Sequence, residues 1–182
     1  MHLMEQRKRT DFVIVGSGIA GLATALGASR YGSVLLVTKG TLLESNTFFA
    51  QGGIAAALAP GDSPAAHSQD TLRAGAEMCD PEAVTVLVHE GPKRVIDLIH
   101  LGADFDRTPT GELAFGREGA HSVARILHAR GDATGAEIAR VLGSAVRNTP
   151  NISVLEHTMV IDLIVAGGRC LGCWLLLPDG TV

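Results

Sequence analysis

Apolar positions along this chain switch between two rhythms, and the switches fall at glycine and proline. Phe12 to Val15 form an unbroken run of β-branched and aromatic side chains, which predicts a central parallel strand covered on both faces. Glycines follow at 16, 18 and 21, and Ala20, Ala23, Ala25 and Ala28 predict a helix lined with small residues. After Tyr31-Gly32, Ser33 to Val37 reads as a second strand, so the first 37 residues spell strand, tight turn, helix, strand. Ser63 before Pro64 opens a helix that carries His67, Asp70, Thr71 and Ala74 to about Met78. Asp80-Pro81-Glu82 supplies an N-cap, a proline at the first helical position and an early acid, so a further helix is expected to about Leu101, kinked or divided at Pro92. Thr134 and Glu137 have capping-box spacing, and Ile138, Val141, Leu142 and Val146 give the helix after them an apolar stripe to about Asn148. Ile152 to Glu156 reads as another parallel strand. Val160–Ala166 and Arg169–Leu177 read as a hairpin closed by Gly167-Gly168, and Pro178 to Val182 as the next turn with the first step of another strand.

The fold class that follows is α/β, a Rossmann-like domain with a parallel sheet and an added β-hairpin. Its chemistry concentrates at the first turn. A glycine at 16 permits the tight turn, one at 18 lets backbone approach a pyrophosphate, and one at 21 lets helix pack on strand, while the helix N-terminus offers free N–H groups to the anion. Gly16, Ser17, Gly18, Ile19, Ala20 and Gly21 are therefore the candidate pyrophosphate cradle. At the end of the second strand, where nicotinamide-binding folds often place an acid for the ribose, the chain has Thr38-Lys39-Gly40. Lys39 reads either as a ligand to adenosine or phosphate oxygens or as a solvated turn lysine. From Glu44 to Leu58 the pattern is neither alternating nor helical at first. Ser45, Asn46, Thr47 and Gln51 offer polar groups to a ring or sugar, and Gly52-Gly53 allow close backbone approach; an ordinary glycine-rich loop has the same composition.

Composition narrows the class further. With 182 residues, 46% of them hydrophobic, and 22 glycines, the chain has enough apolar surface for a core, and one globular domain is the default. A net charge of -4 and 4% aromatic content argue against nucleic acid as a partner. Arg7-Lys8-Arg9 ahead of an apolar run could suggest a signal or anchor, but Asp11 and three glycines interrupt it, so residues 1–10 are expected to be a loose tail and no membrane association is expected. Three cysteines, Cys79, Cys170 and Cys173, suit a reducing cytoplasm. The Cys170/Cys173 pair lacks a second ligand pair and lies in a strand, so no metal site is read. Between Gly102 and Arg130, Asp104, Asp106, Arg107, Arg117, Glu118, His121, Arg125, His128 and Arg130 crowd a stretch without clear periodicity, which points to a site for a charged substrate.

Several blocks, GSGIAGLATAL, VTKG, SNTFFAQGGIAAAL, HSQDTLRAG, CDPEAV, REGAHS, RILHA and DATGAEI, occur in an order that resembles the L-aspartate oxidases. These belong to the flavoprotein superfamily that includes the catalytic subunits of succinate dehydrogenase and fumarate reductase. The resemblance runs from about residue 11 to the C-terminus. It implies FAD as cofactor, with Lys39, Asn46, Thr47, Phe48, Phe49, Ala50, Gln51, Gly52 and Gly53 on the cofactor and Met159 and Val160 laying backbone against adenine. Respiratory relatives carry a flavin-linking histidine where this chain has Asn46, so the FAD is expected to be non-covalent. In the oxidases the acid matching Glu118 faces the substrate amino group; His121 is a second catalytic candidate, suited by type to proton transfer. The implied activity is oxidation of L-aspartate to iminoaspartate with oxygen or fumarate as acceptor, the first step of de novo NAD synthesis, with a quinolinate synthase taking up the imine. The alternatives are a soluble fumarate reductase or succinate dehydrogenase flavoprotein, and a non-catalytic nucleotide-binding module. The family's enzymes are about three times this length, so residues 11–182 are expected to be the N-terminal part of an FAD-binding domain, inactive by itself, with the proton-transfer arginine in a later segment.

Overall fold

The computed structural model describes residues 8–182. The element order is β1 (Phe12–Val15), α1 (Ile19–Ala28), β2 (Val34–Val37), α2 (Asn46–Phe49), β3 (Ile54–Ala55), α3 (Pro64–Ala74), α4 (Pro81–His100), β4 (Phe115–Gly116), β5 (Ile126–Leu127), α5 (Thr134–Arg147), β6 (Ile152–Leu155), β7 (Met159–Ala166) and β8 (Arg169–Leu176). The described chain divides into two compact units, one of residues 8–48 with 139–182 and the other of residues 49–138.

The first unit is the βαβ fold read from the sequence. Its parallel sheet has the order β1-β2-β6, with Phe12 opposite Val34 and Val34 opposite Ile152. β2 is the central strand and is buried throughout. β1 is not central. Among the described residues it pairs with β2 alone, and Val15 is 59% exposed. The two-sided cover expected from its uninterrupted apolar character is not found either, for Phe12 and Val13 are exposed as well. β7 and β8 form a separate antiparallel hairpin, turned by Gly167 (φ 57°) and Gly168 (φ 73°), the two left-handed positions of a type I′ turn. Cys170 and Cys173 lie on β8 as free thiols. Of the tail expected over residues 1–10, residues 1–7 lie outside the described residues; the Thr10 hydroxyl donates to the Ser33 carbonyl at 2.9 Å.

The second unit holds α3, α4 and an antiparallel sheet of order β3-β5-β4, which the irregular pattern of residues 102–130 did not announce. Two-residue strands are too short to show alternation. Both helix starts follow the sequence reading: Ser63 Oγ accepts from the Ala66 N–H, and Asp80 from the N–H groups of Glu82 and Ala83. The expected division at Pro92 does not occur, for α4 runs unbroken from Pro81 to His100. The capping box also reads differently. Thr134 lies inside α5, where its hydroxyl accepts from the Ala129 N–H, and buried Glu137 accepts from the Asp104 N–H. Both side chains thus anchor loops rather than the helix end. Among the described residues no helix is long and apolar enough to cross a membrane.

Candidate functional site

In the first unit the candidate cofactor residues gather at the carboxyl ends of the parallel strands, where open α/β sheets bind ligands. Gly16 adopts φ +96°, a left-handed conformation that disfavours any side chain, and its N–H donates to the Val37 carbonyl. A Cβ on Gly21 would lie 2.0 Å from the Gly16 carbonyl oxygen, so the third glycine is required by contact between helix and turn. A Cβ on Gly16 would meet nothing within 4 Å, which leaves the outer surface of the turn as bare backbone. The Ser17 hydroxyl is buried against Thr38 Oγ1 at 3.1 Å, tying the turn to the end of β2. Ile19 and Ala20 open α1, and the Thr47 hydroxyl accepts from the Ile19 N–H at 2.9 Å. Lys39 is exposed just beyond β2. The Thr158 N–H donates to the Thr38 carbonyl and the His157 N–H to that of Gly40, which brings Met159 and Val160, at the start of β7, to the same strand ends. Turn, helix N-terminus, Lys39 and Met159 thus lie at the same strand ends. Asn46 and Phe48 lie on the short helix α2 and are exposed.

In the second unit Phe49, Ala50 and Gln51 are exposed, and Gln51 Nε2 donates to Asp132. Gly52 adopts φ +83°, and a Cβ there would meet nothing within 4 Å. Gly53 is confined by contact: a Cβ there would lie 2.2 Å from Ile126 and 2.9 Å from the His128 ring.

A loop of residues 117–122 carries the two catalytic candidates. It is folded on itself: Arg117 Nε donates to the His121 carbonyl, the His121 N–H to that of Glu118, and Ala120 takes φ +69°. Beneath it lies a buried ionic cluster. Arg125, 0% exposed, donates from Nε and Nη2 to both oxygens of Asp62 at 2.9 Å, and from Nη1 to Asp70 at 2.7 Å. Asp70 also accepts from the Ser122 N–H and hydroxyl, each at 2.7 Å, so the loop's end is pinned to α3. His121 Nδ1 lies 3.0 Å from Arg125 Nη1; because a guanidinium only donates, Nδ1 accepts and Nε2 carries the imidazole hydrogen. Buried His67 stands beside His121 with ring centroids 5.7 Å apart, and its Nδ1 has no hydrogen-bond partner among the described residues. Glu118, with a side chain 53% exposed, reaches His128 Nε2 at 3.1 Å, and His128 lines a cleft of about 450 Å³ with Asp106, Ala114, Phe115, Gly116 and Gly131.

These contacts displace acidities. The Arg125 hydrogen bonds hold the Asp62 carboxyl below the usual range, and the Ser122 N–H, then its hydroxyl, then Arg125 do the same for Asp70. Burial lowers His67, with the Arg125 charge adding to it. All three groups bind protons less readily folded than unfolded, so their contribution to stability is complete above the unfolded values and is lost as pH falls. Acid is therefore expected to loosen this unit in two stages, first below about 6.5 through His67 and then below about 4 through the carboxylates. Urea midpoints followed from pH 8 to pH 3 measure this, and a flat profile would contradict it.

His128, Asp62, Asp70 and Arg125 received no individual role from the sequence. The cluster spans 55 and 63 residues, and no local pattern signals such pairs.

The fold and strand-end site define a dinucleotide-binding flavoprotein domain. Residues 11–181 match the FAD binding domain family, and the chain belongs to it. It is similar to L-aspartate oxidase of Oryza sativa subsp. japonica, a chloroplastic protein, at 52% identity over 88% of this chain and 25% of that protein. It is also 50% identical to L-aspartate oxidase of Streptomyces coelicolor, over 91% of this chain and 29% of the relative. The chain thus spans between a quarter and a third of the length of these two curated relatives. Among solved structures, the E. coli quinol fumarate reductase FrdA superposes with a TM-score of 0.90 at 28% identity, covering 94% of this chain and 30% of that one.

Proposed function

We propose that this FAD-binding domain serves an L-aspartate oxidase, which converts L-aspartate to iminoaspartate while oxygen is reduced to hydrogen peroxide or fumarate to succinate. One observation carries the reading: a half-exposed carboxylate, Glu118, sits on a loop pinned by a buried ionic cluster beside an open cleft. A pinned acid suits the ammonium of an amino-dicarboxylate, which a plain dicarboxylate lacks. Bound FAD supplies the two-electron acceptor. The chain's own residues bind and orient: the Gly16–Gly21 turn and the N-terminus of α1 hold the pyrophosphate, Lys39 and the Met159–Val160 backbone the adenosine, and Asn46 to Gly53 the flavin, without a covalent bond at Asn46. His121 offers an Nε2–H to a substrate carboxylate. The identity shared with proteins named L-aspartate oxidase supports this reading, as does the absence of histidine at 46. The wider setting is a cytoplasmic route to NAD in which a quinolinate synthase consumes the imine.

The test compares L-aspartate with succinate as substrates of the complete FAD-loaded gene product. Aspartate turnover is expected, and turnover of succinate alone would replace this reading with the succinate dehydrogenase or fumarate reductase one. Glu118→Gln is expected to raise KM for L-aspartate between about tenfold and a hundredfold, the loss of a charge-assisted hydrogen bond, while succinate inhibits as before. An unchanged KM would remove Glu118 from the site.

A further inference from the structure

His128 occupies a slot that the sheet has cleared for it. In the β3-β5-β4 sheet Ile54 pairs with Leu127, which sets Gly53 opposite His128, and Gly116 pairs with Ile126. Side chains two apart on a strand share a face, so Ile126 and His128 project on the same side. On that side Gly53 stands opposite His128 on β3, while on β4 Ala114 stands opposite it and Gly116 one diagonal step along. A Cβ on Gly53 would lie 2.9 Å from His128 Nε2, and one on Gly116 would lie 2.9 Å from Cε1. Neither glycine has a positive φ, so backbone conformation does not demand them; room for the ring does. The ring is 75% covered and emerges at Nε2, 3.1 Å from Glu118 Oε1. A carboxylate accepts, so Nε2 carries the hydrogen.

We propose that His128 is the positioning residue for Glu118: held between Gly53 and Gly116, its Nε2–H fixes one carboxylate oxygen and so orients the group for the ammonium of an amino-dicarboxylate. This rests on the role proposed for Glu118 as the partner of that ammonium. An exposed glutamate on a loop samples many rotamers, and each must be frozen when substrate binds. A ring locked in a sheet removes that freedom beforehand, and the gain applies only to substrates that use the carboxylate. His128 therefore acts on selectivity between amino- and plain dicarboxylates through Glu118.

The experiment uses the complete FAD-loaded protein as wild type, His128→Ala and His128→Gln, reading KM and kcat for L-aspartate beside the inhibition constant of succinate. The alanine variant is expected to raise KM about tenfold and leave kcat and the succinate constant within about twofold. Glutamine, which returns an N–H to a similar reach, is expected to recover most of the loss. An unchanged or lowered KM in the alanine variant overturns the proposal, as does a parallel rise in KM and the succinate constant in both variants, which would mark general damage to the sheet. Should the alanine variant fail to load FAD, the glutamine variant decides: a near-wild-type KM supports the proposal, and a rise in both constants overturns it. A wild type that does not oxidise L-aspartate overturns the parent reading and this one together, whereas wild-type turnover with an indifferent His128→Ala overturns this one alone.

Discussion

Replacing Arg125 with methionine is expected to destabilise the second unit by about 3–5 kcal/mol, the range found when one partner of a buried ion pair is removed and the other charge is left behind. Here two charges are left. Asp62 and Asp70 have side chains only 1% and 5% exposed, and both direct carboxylate oxygens at the guanidinium. Methionine has comparable length and no charge, so packing is largely kept and the loss reports the uncompensated carboxylates. Arg125→Lys should recover little, because one ammonium cannot reproduce a two-pronged contact to Asp62 and a third hydrogen bond to Asp70. Combining Arg125→Met with Asp62→Asn and Asp70→Asn should regain much of the stability, since the buried charges are then gone. Urea unfolding of the complete protein measures all three, and limited proteolysis should find the 117–122 loop more readily cut once Asp70 no longer holds Ser122. A loss below about 1 kcal/mol for Arg125→Met would show that water or neighbouring donors satisfy the carboxylates, and the cluster would then not be what fixes the loop.

What was legible in the chain and what was not divides along sequence distance. Local signals were reliable: the turn at Gly16 and the helix contact at Gly21, the caps at Ser63 and Asp80, and the Gly167-Gly168 turn are each a contract between residues a few positions apart, and each is found as read. Ile152 to Leu155 is the further parallel strand expected, and the structure supplies its partner, β2. The errors arose where tertiary neighbours decide. β1 has the composition of a covered central strand but is an edge among the described residues with Phe12, Val13 and Val15 exposed, because composition marks a preference for burial and does not supply the neighbours that cover a strand. Pro92 leaves α4 undivided, since a long helix packed along its apolar face can lose one hydrogen bond without ending. Thr134 and Glu137 have capping spacing but find better partners in the Ala129 and Asp104 N–H groups. At the candidate site the charged crowd between residues 102 and 130 was visible, whereas its division into a structural cluster around Arg125 and an outward pair, Glu118 with His128, depends on which strand face each residue takes. The resemblance singled out Glu118, but only the sheet register brings out His128.

Gly21→Ala is expected to raise the dissociation constant for FAD at least about tenfold, although alanine is the better helix former by about 1 kcal/mol. Propensity and packing therefore oppose each other at this position, and distance decides between them. The new Cβ would stand 2.0 Å from the Gly16 carbonyl oxygen and 3.0 Å from its carbon, and neither is the end of a flexible side chain that can swing away. The turn or the helix must move. The Gly16 N–H is bonded to the Val37 carbonyl, and Ser17 is bonded to Thr38, so the turn is fastened to β2 on its inner side. Helix α1 is the freer party, and Leu22 and Ala25, both 0% exposed, resist its withdrawal. Either shift moves the N–H groups proposed to hold the pyrophosphate by a sizeable fraction of an ångström, enough to lengthen several charge-assisted hydrogen bonds together. Gly27→Ala in the same helix is the control, because a Cβ there meets nothing within 4 Å; it should hold FAD as tightly as the wild type and gain stability from propensity alone. Flavin absorbance per protein after purification, with a fluorescence titration of the apoprotein, reads both variants. If Gly21→Ala bound FAD as tightly as Gly27→Ala, the glycine turn would be a packing device for helix and strand, and the pyrophosphate site would have to be sought elsewhere along the strand ends.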